Sequence, residues 1–102
     1  MQEKEFINGV KNVPLPGHTP GSIGFVIEIE RGPHVICGDA VPKYGNLLGV
    51  PEEHQPYLMS GIYTDMIAMW KSFELVDEIV EHDFSRIIPG HDPLVLEKER
   101  YP

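Results

Sequence analysis

Three stretches of this chain place a histidine or an aspartate in a tight loop beside an apolar run. The first, residues 15–22 (LPGHTPGS), carries His18 directly before the apolar residues that begin at Ile23. Gly38-Asp39 and Pro89-Gly90-His91-Asp92 each close a later apolar run. All three loops therefore put a side chain that can bind a metal next to a predicted strand. This repeated placement is the strongest constraint on what the chain folds into and does.

The apolar runs predict a small sheet. Short strands are expected near Glu5–Ile7 and Val10–Pro14, because the Asn-Gly pair between them favours the turn of a β-hairpin. Ile23–Glu30 and His34–Cys37 predict a second hairpin. A last short strand is expected at Arg86–Ile88, and the glycine and proline of residues 31–33 predict a turn within the second hairpin.

Residues 64–81 carry the clearest helical pattern. Apolar residues recur there at spacings of three and four, which is the period of one helix face. Thr64 or Asp65 is the expected N-cap, and Trp70 and Phe73 are predicted to be buried against the sheet. One or two further helical turns are expected within Leu94–Arg100. The order of elements predicts an α/β fold in which a mixed sheet packs against one main helix.

The residues between the second hairpin and this helix have little periodicity. Ala40–Ser60 contains three prolines and two glycines, so it is predicted to be a loop of unusual length for a small domain. Long loops of this kind often serve as lids or binding loops. A disordered or partly helical excursion without a function is the alternative.

Length and charge narrow the function classes. The 102 residues suffice for one domain, 1–102. The 8 basic and 16 acidic residues give a net charge of −8, which argues against nucleic acid and against an anionic membrane surface as partners. The single cysteine, Cys37, allows no disulfide within the chain, and no signal peptide or membrane span is evident. We therefore expect a cytoplasmic protein.

Each candidate site residue also has an ordinary interpretation when it is taken alone. A histidine in a surface loop is usually only solvated, and Gly-Asp after a strand is usually turn chemistry. His34, His54 and His82 are interpreted as ordinary polar positions. Cys37 is expected to be a small buried apolar side chain rather than a nucleophile.

Together the three loops resemble the C-terminal half of the metallo-β-lactamase superfamily. Loops like residues 16–22, Gly38-Asp39 and Gly90-His91 carry metal ligands in that family, and Pro89-Gly90-His91-Asp92-Pro93 looks most like its N-acyl homoserine lactonase branch. The resemblance implies half of an αββα sandwich. It assigns His18 to a first metal and His91 to a second, with Asp39 as the catalytic carboxylate that bridges both.

The chain departs from the family in lacking its His-x-His-x-Asp-His segment, since no two of its five histidines are separated by one residue. The resemblance therefore covers only the second half of the family's domain. Two metals would share three ligands from this chain, whereas a catalytic zinc normally has three protein ligands of its own. This shortage predicts weak metal binding and poor catalysis by the chain alone.

The resemblance implies a metal-dependent hydrolase of lactone or ester bonds, in which a hydroxide held between two metals attacks the carbonyl carbon of a small-molecule substrate. Zinc is the expected metal, and iron or manganese would also suit these ligands. The expected protein partner is a second copy of the chain or a chain that supplies the missing first half. The alternative is a catalytically inactive fragment that binds metal or forms oligomers.

Overall fold

A mixed sheet lies at the centre of the computed structural model, which describes residues 4–7, 9–30, 32–59, 61–92 and 94–95. Within these residues five strands form one sheet, in the order β1-β2-β3-β4-β5. The first four strands pair antiparallel with their neighbours in the chain, and β5 pairs parallel with β4. The strands are β1 (Lys4–Ile7), β2 (Val10–Pro14), β3 (Ile23–Ile29), β4 (Gly32–Gly38) and β5 (Ile87–Pro89).

One face of the sheet forms the core because apolar side chains alternate along its strands. Val26 of β3 lies opposite Val35 of β4, and both are buried. Phe25 and Ile36, which also lie opposite each other, point to the other face and are only half-buried. The alternation therefore gives the sheet one buried face, which packs against the main helix, and one face that is partly exposed.

The main helix, α2 (Met66–Ile79), confirms the predicted helix and is two residues shorter at each end. The carboxylate of Asp65 caps it by accepting a hydrogen bond from the Ala68 backbone N–H at 3.0 Å. The residues that fill the core from this segment are spaced by three and four positions, as the pattern predicts: Met69, Phe73, Val76 and Val80. The expectation that Trp70 is buried is wrong, since it is only half-buried beside the Tyr57 ring.

The segment between β4 and α2 is not the plain loop that its sequence predicts. It contains the short helix α1 (Tyr44–Leu48) and a 3-10 turn at Pro51–Glu53. Leu47 of α1 is fully packed in the core. Asn46 is also buried, and its side chain donates a hydrogen bond to the Leu58 carbonyl at 2.7 Å. Contacts with distant residues thus fix a helix that is too short to show a sequence period. The segment is therefore partly helical, and its role as a binding loop stays a prediction.

Three local expectations are corrected. Gly32 and Pro33 belong to β4, where they pair with Ile29 and Glu28 instead of forming a turn. Arg86 belongs to the 3-10 turn Phe84–Arg86, and the last strand begins one residue later. His34 is 1% exposed and therefore not an ordinary surface residue. Its Nδ1 lies 3.0 Å from the Gly32 carbonyl oxygen.

Residues 1–3, 96–102 and four single positions (Asn8, Arg31, Ser60 and Pro93) lie outside the described residues, so most of the helical turn expected within Leu94–Arg100 does too. Among the described residues, no helix combines the length and the apolar character needed to cross a membrane.

Candidate metal site at the sheet edge

The loop that carries His18 is fastened to the start of α2. Gly17 has φ of 138°, a backbone conformation that favours glycine. A Cβ added there would collide with the backbone of Met69. The Gly17 carbonyl accepts hydrogen bonds from the backbone N–H groups of Thr64 (2.7 Å) and Asp65 (3.0 Å). These contacts fix the loop against α2 and leave it little freedom to move.

The His18 ring is oriented by a backbone carbonyl. Its Nδ1 lies 3.2 Å from the carbonyl oxygen of Ile62, and since a carbonyl only accepts, the ring N–H must be the donor in this bond. The second ring nitrogen, Nε2, lies 3.7 Å from Oδ2 of Asp39. The His18 side chain is 24% exposed, so one edge of the ring reaches solvent.

Asp39 and His91 meet because β4 and β5 run parallel and end side by side. Gly38, the last residue of β4, is paired with Pro89 of β5. A Cβ on Gly90 would approach the Gly38 carbonyl oxygen to 2.6 Å, so only glycine permits this close approach of the two loops. Beyond these glycines, Nε2 of His91 lies 2.5 Å from Oδ1 of Asp39.

The structure therefore brings the three side chains selected from the sequence to one edge of the sheet. Each oxygen of the Asp39 carboxylate faces a different histidine, Oδ2 facing His18 and Oδ1 facing His91. The Asp39 and His91 side chains are 51% and 66% exposed. A carboxylate placed between two imidazoles in this way can bind a proton or bridge cations. That these residues are metal ligands stays a prediction.

The donor set suits a divalent metal. Imidazole nitrogen and carboxylate oxygen are ordinary ligands of zinc, iron and manganese. The hydrogen bond from the other His18 nitrogen to the Ile62 carbonyl is the kind of contact that orients metal-binding histidines. The 2.5 Å between Asp39 and His91 is the spacing of a hydrogen bond and is shorter than the roughly 3.3 Å between two ligands of one zinc, whereas His18 lies 3.7 Å from Asp39. Accordingly, no three His, Cys, Asp or Glu side chains among the described residues are arranged to hold an ion.

The remaining histidines and the cysteine contribute nothing to this cluster. His82 lies 2.9 Å from the Asp77 carboxylate at the far end of α2. Cys37 is fully buried, and burial raises the pKa of its thiol to about 12. It is therefore the inert apolar side chain that the sequence predicts. No sequence pattern indicates the roles of Ile62 and Thr64, because they act through a backbone carbonyl and a backbone N–H.

The comparisons with known proteins agree with this geometry. The model of the metallo-β-lactamase superfamily matches residues 2–91. The structure of an N-acyl homoserine lactone hydrolase, with the product N-hexanoyl-L-homoserine bound at its catalytic metal centre, is similar over 96% of this chain, with 26% identity and a TM-score of 0.71. A quorum-quenching N-acyl homoserine lactone lactonase is similar over 97% of the chain, with 26% identity and a TM-score of 0.70.

A third similar structure is that of a probable metal-dependent hydrolase from Staphylococcus aureus, with 19% identity over 89% of this chain and a TM-score of 0.58, which bears on the fold alone. This chain covers 36%, 38% and 30% of these three proteins, respectively. It therefore spans about a third of the length of its structural relatives. No match was found among curated proteins.

Proposed function

Because this chain belongs to the metallo-β-lactamase superfamily, we propose that it supplies the second half of a metal-dependent hydrolase site. The observation that carries the proposal is the meeting of His18, Asp39 and His91 at one edge of the sheet. The loops that hold them follow β2, β4 and β5, whose ends lie at this edge of the sheet. We further propose that residues 1–102 act as one folded unit.

The three side chains have different tasks. His18 and His91 would each hold one metal through Nε2, and Asp39 would bridge the two through its separate oxygens. The Ile62 carbonyl keeps the proton of His18 on Nδ1, which leaves the lone pair of Nε2 directed toward the carboxylate. Bound divalent metals would activate water near neutral pH and polarise a substrate carbonyl.

We propose a lactone or ester as the substrate, with zinc as the metal. Two relatives that resemble this chain over nearly its whole length are described as lactone hydrolases. The exposed sides of Asp39 and His91 leave the site open to a small molecule. Since only two protein ligands are available per metal, we expect a His-x-His-x-Asp-His segment outside these 102 residues to complete the site.

The proposal is tested by measuring zinc content and lactone hydrolysis on the purified chain, alone and after mixing with a first half made from a related lactonase. We expect weak zinc binding alone and restored binding and turnover on mixing. His91→Ala should abolish the restored turnover. His54→Ala is the matched control, because it removes an exposed histidine outside the cluster, and it should leave the restored turnover unchanged. Equal turnover in both variants, or two tightly bound metals in the isolated chain, would contradict the proposal.

A second candidate function is that of a metal-binding or self-associating module without turnover. The observation that favours it is a group of exposed apolar side chains at the start of α2. Ile62 and Ile67 are 71% and 68% exposed, and Met66 is 50% exposed. Exposed apolar surface of this kind promotes association. Sedimentation of the chain over a range of concentrations distinguishes the two candidates, since a stable oligomer that neither a first half nor zinc alters favours the second.

A further inference from the structure

The segments that carry Asp39 and His91 are joined by a series of hydrogen bonds beyond the two side chains themselves. The backbone N–H of Gly90 donates to the Val41 carbonyl at 3.3 Å. That of His91 donates to the Pro42 carbonyl at 2.8 Å. The hydroxyl of Tyr44 donates to the Ile87 carbonyl at 3.2 Å. Residues 41–44 therefore lie alongside residues 87–91, and the separation of Asp39 and His91 depends on this contact.

Asp92 completes the series with a side-chain contact. Its Oδ2 accepts a hydrogen bond from the backbone N–H of Tyr44 at 3.0 Å, and its Oδ1 accepts one from the backbone N–H of Leu94 at 3.0 Å. Tyr44 is the first residue of α1, so its N–H has no partner within the helix. The carboxylate thus joins the residue after His91 to the helix that follows Asp39.

We propose that Asp92 is a positioning residue, whose carboxylate sets the distance between Asp39 and His91 by holding α1 against the His91 loop. The proposal rests on the proposed metal site, which it extends beyond the ligands. Asp92 touches neither histidine in the contacts described above. It acts through Tyr44, which is 48 positions away in the chain.

Ordinary turn chemistry accounts for only half of this arrangement. An aspartate before a proline commonly accepts a hydrogen bond from a backbone N–H two residues later, as Oδ1 of Asp92 does with Leu94. Such a turn does not require the second oxygen to bond a distant residue. The contact between Oδ2 and Tyr44 is therefore the part of the arrangement that a role at the site explains.

The test compares four forms of the chain: the wild type, Asp92→Ala, Asp92→Asn and Asp83→Asn. Asp83→Asn is the matched control for Asp92→Asn, because the Asp83 carboxylate also accepts a hydrogen bond from the backbone N–H two residues later and lies in a turn before β5. Its carboxylate bonds Ser85 and pairs with Arg86. Zinc affinity by calorimetry and the ring-proton resonance of the His91 to Asp39 hydrogen bond are measured on each. Asp92→Asn, which keeps one acceptor oxygen, provides a partial rescue.

We expect Asp92→Ala to weaken zinc binding about 10- to 100-fold, the effect typical of groups that orient metal ligands. We expect it also to remove the His91 resonance. Asp92→Asn should fall between Asp92→Ala and the wild type, and Asp83→Asn should match the wild type in both measurements at equal folded fraction.

An unchanged His91 resonance in folded Asp92→Ala would overturn the positioning role. Wild-type chain that binds no zinc even with a first half present would instead count against the metal site. The resonance still tests Asp92 in that case, because it requires no metal.

Discussion

The hydroxyl of Ser72 donates a hydrogen bond to the carbonyl of Pro16 at 2.6 Å, which ties the second turn of α2 to the loop that carries His18. Ser72 is 3% exposed, so no water is available to replace the bond. The hydrogen bond to Pro16 explains why a polar residue, Ser72, lies on the buried and otherwise apolar face of α2.

Replacement of Ser72 by alanine should destabilise the protein, because the Pro16 carbonyl would lose its partner in a buried setting. We expect a loss of about 1–3 kcal/mol in the free energy of unfolding, measured by urea denaturation. Lys71→Ala, an exposed neighbour on the same helix, should stay within about 0.5 kcal/mol of wild type. A loss no larger than that of Lys71→Ala would show that the bond contributes nothing net.

Gly17→Ala should be more damaging than any other glycine change in its loop. Gly17 combines φ of 138° with direct contact to the Met69 backbone, so an added methyl group is both strained and crowded. We expect a loss of about 2 kcal/mol or more, together with displacement of His18. Gly21→Ala is the control, since open space surrounds its position. Equal stability of the two variants would show that the close contact between Gly17 and Met69 does not limit which residues fit at position 17.

Phe73→Ala should cost about 3–5 kcal/mol, because its ring is fully buried in the core. Trp70→Ala should cost less, since the indole is half-buried and its ring contact in the structure is to the edge of Tyr57, with centroids 4.8 Å apart. Thermal or urea unfolding of both variants measures the difference. A larger loss from Trp70→Ala would mean that the indole is buried by an interaction outside the described residues.

The phenol of Tyr57 should resist ionisation. Burial, followed by its hydrogen bond to the Asp77 carboxylate at 2.8 Å and the charges of Asp77 and Glu74, raises its pKa well above the usual value of 10.0. The unfolded phenol ionises at an ordinary tyrosine pKa, so this contribution to stability is complete below about pH 10 and falls as the pH rises further.

Ultraviolet titration of the wild type and of Tyr57→Phe measures this effect, since the variant should lose only the late-titrating phenol. The decrease in stability at alkaline pH should also be smaller in Tyr57→Phe than in the wild type. A wild-type titration in which all phenols ionise together near pH 10 would contradict the buried hydrogen bond.

The sequence predicted most of the strands and the main helix because both have strong local periods. The alternation in β3 and the spacing of Met69, Phe73 and Val76 depend only on neighbouring residues. The meeting of His18, Asp39 and His91 was also predictable, since loops at the ends of strands that run in the same direction lie at the same edge of a sheet. The strand and helix periods require no knowledge of distant contacts, whereas the distances within the cluster depend on the pairing of β4 with β5.

The features that the sequence did not predict all depend on residues far apart in the chain. The helix α1 is fixed by the burial of Leu47 and by the Asp92 contact to Tyr44, and neither produces a local pattern. Trp70 shares the helix period with Phe73, and only the position of the sheet beneath α2 decides which of the two is covered. The burial of His34 likewise depends on what lies against the second face of the sheet.

The parallel pairing of β4 and β5 also determines when the cluster can form during folding. The β3–β4 hairpin closes through local contacts, but β5 reaches β4 only after a crossover that includes both helices, and such distant pairings form slowly. We therefore expect the contact between Asp39 and His91 to form late in folding. Any ion that joins the two side chains would bind the completed fold in preference to its precursors, and it would slow the detachment of the last strand.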